Sequence, residues 1–117
     1  MSLSRRKLAD QTLDYMGTGG ISRENQHLGF VPAYRDTRTG TVYPSCHADG
    51  RPAPVHVLDG LPAELVVRRS ADGHVMAVAR QVEAGFVRNG RFYTRAEAAR
   101  WLQRHDADIA GSDLVTA

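Results

Sequence analysis

Cys46 and His47 are adjacent in the chain, Asp49 follows closely, and His56 stands a few residues further on. A thiol, an imidazole and a carboxylate are the parts of a nucleophilic site, in which a base within hydrogen-bond reach activates the thiolate. Nothing in this spacing demands that contact, and no oxyanion-binding loop accompanies it. A loop thiol beside a solvated imidazole is the favoured reading, and a small cysteine hydrolase around Cys46, His47 and His56 is a third functional reading, behind an interaction module and a nucleic-acid-associated protein. His27, His47, His56, His74 and His105 offer metal ligands together with Cys46. Zinc sites in small domains usually pair ligands two to four residues apart, and here only the adjacent Cys46–His47 comes close. No metal and no cofactor is expected. Asp36, Asp49, Asp59 and Asp72 all fall in turn contexts, where the side chain stabilises the turn itself. Gly17-Thr18-Gly19-Gly20 follows a predicted helix, whereas a phosphate cradle follows a strand and opens a helix. It reads as a hinge, with Ser22 capping a short turn through Gln26.

Arginine and aromatic residues carry the stronger signal. Arg88 and Arg91 flank Asn89-Gly90, and Phe92, Tyr93 and Arg95 follow. A protruding hairpin of this kind can grip phosphates and stack on bases. It can equally grip acidic protein surface, where Tyr and Arg are frequent anchors. The candidate binding residues are therefore Arg88, Arg91, Tyr93 and Arg95. The plainer alternative, aromatics in the core and arginines on a solvated rim, outweighs both. A net charge of only +2 argues against a strongly basic nucleic-acid binder.

These residues need elements to position them, and local chemistry specifies the last ones best. Asn89-Gly90 supplies the two positive-φ residues of a type I′ turn between Phe86-Val87 and Phe92-Tyr93. Thr94-Arg95-Ala96-Glu97 is a capping box, with Tyr93 and Ala98 at the staple positions. A helix from Arg95 to about His105 should lay Trp101 and Leu102 on a sheet, leaving Arg95, Arg100 and Arg104 in water. At the other end, Ser4 to Met16 reads as a helix with a thin apolar stripe of Leu8, Tyr15 and Met16. That stripe is the candidate interface.

Between the two helices lie short strands. Phe30–Arg35 should pair with Thr41–Ser45 around a turn closed by Gly40. Pro32 cannot donate to a ladder, which places this strand at an edge. Cys46–Pro54 reads as a loop and Val55–Leu58 as a strand. Glu64–Arg69 and His74–Gln81 form a hairpin around Ser70–Gly73, and the second of these is apolar on both faces, hence central. Gly29-Phe30-Val31 and Gly85-Phe86-Val87 echo one another, either by duplication or as two similar hairpins.

The expected architecture is α+β. About six short antiparallel strands form a curled sheet or small open barrel, with the C-terminal helix packed on it and the N-terminal helix at the edge. Residues 1–28 would be helix and Gly-rich hinge, 29–105 the domain, and 106–117 a disordered tail. A chain of 117 residues, 42% of them apolar, suits one globular domain. No apolar run is long enough for a membrane span, and the N-terminus lacks a secretory signal. A single cysteine fits a reducing, cytoplasmic compartment. Fourteen Arg against the single Lys7 points to a bacterial genome of high GC content.

The stretch Asn89–Ala99 resembles the endings of small bacterial proteins. That resemblance implies no activity and supplies no site residue. The expected function is a non-enzymatic interaction module acting through a protein partner or a homodimer, with no membrane role. The alternative is a nucleic-acid-associated accessory protein using the Arg88–Arg95 hairpin.

Overall fold

Asn89 takes a φ of 52° and Gly90 a φ of 77°, the conformation a two-residue hairpin turn needs. They join β6 (Val82–Arg88) to β7 (Arg91–Thr94), paired from Arg88↔Arg91 to Gly85↔Thr94. Thr94 then caps α3 (Arg95–Thr116). Its Oγ1 accepts from Glu97 N at 3.1 Å, and Glu97 Oε1 accepts from Thr94 N at 2.9 Å. The expected hairpin and capping box are present, and the helix starts where expected but runs to Thr116 rather than ending near His105. The computed structural model describes residues 2–116, with side chains described as far as His105. The segment 106–117, expected to be a disordered tail, lies beyond those described side chains.

Two antiparallel sheets make up the rest. One contains β3 (Val42–Pro44), β2 (Val31–Asp36), β6 and β7, in that order. The other contains β1 (Leu3–Ser4), β5 (Val75–Val78) and β4 (Val66–Arg69), in that order. β1 leads into α1 (Arg5–Asp14), which Ser4 caps by accepting from Lys7 N at 3.0 Å. The short α2 (Ser22–Asn25) and a 3-10 turn at Gln26–Leu28 connect to β2. The class is α+β as expected, but the strands divide between two sheets, and neither closes into a barrel. β5 is the central strand of its sheet, as its two apolar faces require.

Three expectations about strands are corrected. Pro32 lies in β2, which sits between β3 and β6 rather than at an edge. Its carbonyl accepts from Ser45 N at 2.9 Å, and the Ser45 carbonyl takes Ala53 N at 2.9 Å instead. The loop thus supplies the donor that proline lacks. Val55–Leu58 is not a strand. The buried Ser45 hydroxyl holds it, accepting from Val57 N and donating to the Val55 carbonyl, both at 2.9 Å. Finally, β6 begins at Val82, several residues before the expected Phe86. Val31 pairs with Val87, so Gly-Phe-Val opens β2 but lies toward the end of β6. The two copies of the echo are not structurally equivalent.

Val82, Ala84 and Phe86 alternate along the inward face of β6 and link two apolar clusters. The larger joins Leu3 and Leu8 to Tyr34, Leu58, Leu61, Leu65, Val75 and Val78. The smaller places Phe30, Phe86 and Ala98 beneath Tyr93, Trp101 and Leu102. Leu8, offered as interface, is only 6% exposed and belongs to the core.

Candidate functional site

Arg95 is the first residue of α3 and is 4% exposed. It was expected in water. The reason it is inside is helical geometry: Arg95, Ala98, Ala99 and Leu102 share the face that packs inward. That spacing is present in the sequence, and a small-residue face beside an arginine is the signal that was missed. Its Nε donates to Gln11 Oε1 at 3.1 Å and its Nη1 to the Gly20 carbonyl at 2.9 Å. Its Nη2 donates to His56 Nδ1 at 3.1 Å. All three acceptors are uncharged. Among the described residues no carboxylate pairs with it, and burial pushes its pKa below the usual arginine range. A buried cation without a counter-charge carries a desolvation penalty of several kcal/mol.

His56 completes the cluster. Arginine can only donate, so Nδ1 accepts. The Gly85 carbonyl can only accept, so Nε2, 2.6 Å away, carries the proton. The ring lies edge-on between Tyr34 and Phe86, with centroids 5.4 and 5.1 Å away. Burial, reinforced by the Arg95 charge, lowers its pKa to about 3. His56 is therefore a neutral imidazole with both nitrogens occupied. Burial likewise raises the Tyr34 pKa above its ordinary value.

Beside this cluster opens a cleft of about 550 Å³ between α1, the start of α2 and the segment 55–58. Leu8, Ile21, Val57 and Leu58 form apolar wall. Met16 and Val55, 55% and 52% exposed, stand at its margin. The charged groups lining it are Arg5, Arg23 and Arg95, and no acid lines it. Arg5 is partly neutralised by Asp59 at 3.5 Å. Arg23 is exposed and makes no ion pair among the described residues.

The remaining candidates fall elsewhere. Arg88 donates to the Leu28 carbonyl at 3.0 Å and lies 4.4 Å over Trp101, whose ring also stacks on His105 at 3.8 Å. Arg91 lies 4.9 Å over Tyr93, and Tyr93 packs edge-on against Phe30 at 5.3 Å. Arg88, Arg91 and Tyr93 thus gather around Phe30, over which Arg88 lies at 5.7 Å, while Arg95 turns inward to Gln11, Gly20 and His56. Cys46 and His47 are partly buried, and His56 has no ring nitrogen left for the thiol. Tyr15 is partly buried against Gly20.

The Gly-rich segment does cradle an anion, but an internal one. Glu24 accepts from Gly17 N at 2.7 Å and Gly19 N at 2.9 Å. Among the described residues no group of three His, Cys, Asp or Glu side chains is placed to hold a metal. None of their helices is long and apolar enough to cross a membrane. No family model, curated protein or solved structure matches this chain.

Proposed function

We propose that the chain is a non-enzymatic binding module whose site is the cleft between α1 and the segment 55–58. The observation that carries this reading is the composition of that cleft, an apolar wall with arginines and no acid. Its size lies within the range of small-molecule and anchor pockets. Met16 and Val55 stand exposed at its margin, where a bound partner would cover them. His56 has no free nitrogen for proton transfer, which favours holding a partner over transforming one.

The test is amide chemical-shift mapping of the ¹⁵N-labelled protein against a mixture of small anionic, neutral and cationic fragments. Shifts concentrated at Leu8, Ile21, Val55 and Leu58 are expected. Shifts confined to the Arg88–Tyr93 hairpin would overturn the reading and place the binding site on that surface.

A further inference from the structure

We infer that the cleft takes an apolar carboxylate, its acid group directed to Arg95 and its hydrocarbon body lying along Leu8, Ile21 and Leu58. This rests on the cleft being the binding site and goes on to name the chemistry of its ligand. Each terminal nitrogen of a guanidinium carries two N–H groups. Nη1 and Nη2 of Arg95 each have one acceptor, Gly20 O and His56 Nδ1. One N–H on each is left over, and the two oxygens of a carboxylate match such a pair. Arg95 lines the cleft while 96% of its surface is withdrawn from water. An anion arriving there meets a cation that has little water to lose.

Selectivity for a carboxylate with an apolar body follows from the rest of the lining. The exposed Arg23 also lines the cleft and adds positive charge, and no acid lines it. Leu8, Ile21, Val57 and Leu58, with Met16 and Val55, offer an apolar surface that inorganic phosphate cannot use. The neutral His56, which also lines the cleft, holds Arg95 through Nδ1 and offers no charge to oppose an anion.

Octanoate, octanamide and inorganic phosphate serve as probes in parallel titrations, followed by the amide shifts of Val55 and Leu58 and the ring shifts of His56. Octanoate should bind at least tenfold more tightly than octanamide, and phosphate more weakly than either. Val55→Asp, on an exposed site, should weaken octanoate at least tenfold with the fold intact. Arg95→Gln should abolish the preference for acid over amide. Because Arg95 also tethers Gly20 and Gln11, Arg23→Gln provides a second, surface test and should weaken octanoate about threefold. Equal binding of octanoate and octanamide in the cleft would overturn the carboxylate inference and leave the cleft as the site. Binding of octanoate that ignores Val55→Asp and moves only hairpin resonances would overturn both.

Discussion

His56 shows how one partly buried residue couples the site to stability. Its folded pKa of about 3 lies well below the unfolded value near 6.5. Above the unfolded value both states are neutral there, and the folded state keeps its full stability. As the pH falls from about 6.5 toward 3, the unfolded chain takes up a proton that the folded chain refuses. Stability should then drop by up to about 1.4 kcal/mol per pH unit. Denaturant melts between pH 4 and 8 measure this, and His56→Gln should flatten the part of the slope nearest pH 6. An unchanged slope in that variant would mean that other groups carry it. Gly85 is a second residue with no tolerance for change. A Cβ there would meet the Tyr93 carbonyl and come within 2.5 Å of Phe92 Cζ. Gly85→Ala should cost about 3 kcal/mol in thermal or denaturant unfolding, as overpacking against backbone does. The need for glycine here is invisible in the sequence, because it comes from the neighbouring strand rather than from a positive φ.

Among the elements, α3 and the segment 55–58 are held in contrasting ways. α3 starts at a reciprocal cap made within four residues. Thr94→Ala should cost about 1 kcal/mol, typical for a lost cap, and Thr94→Ser should recover most of it. Amide exchange in the first turn reads the change directly. The segment 55–58 depends instead on the Ser45 hydroxyl, ten and more positions away. Ser45→Ala leaves Val57 N and the Val55 carbonyl without that partner and should cost about 2 kcal/mol. The cleft wall should loosen with it, seen as faster exchange at Val57 than at Val78. Uniform destabilisation with no local change at Val57 would refute the role given to this hydroxyl. Periodicity favoured a strand at Val55–Leu58 because its residues are β-formers. A side-chain hydroxyl and the Cys46↔Pro52 bridge hold this region where a ladder was expected.

At the scale of the molecule, β6 runs through both apolar clusters, and Leu8 ties α1 to the larger of them. Leu8→Ala should cost about 2–5 kcal/mol by leaving a cavity. Trp101 reports on the other cluster. If the two unfold as one unit, its fluorescence and the far-ultraviolet circular dichroism should shift together in this variant. Separated transitions would show that the N-terminal segment and the α3 cluster unfold independently. The arginine that lines the cleft belongs to this scale too. Its acceptors lie 84, 75 and 39 residues away in the chain, so α1, the Gly-rich segment and the segment 55–58 must all dock before the cleft exists.

Sequence alone was sufficient where neighbours in the chain satisfy one another. The Asn89-Gly90 turn, the Thr94–Glu97 cap, the helix behind it and the antiparallel α+β class all follow from side chains within a few residues of each other. Tertiary structure decided whatever depends on a distant partner. Pro32 lies inside a sheet because Ala53 supplies the missing donor, Leu8 is core because it joins the cluster of Leu58, Val75 and Val78, and Arg95 is buried because three remote acceptors receive it. Local periodicity assigns an arginine to water, since the desolvation penalty is local. The hydrogen bonds that offset it come from groups that only the folded chain brings together.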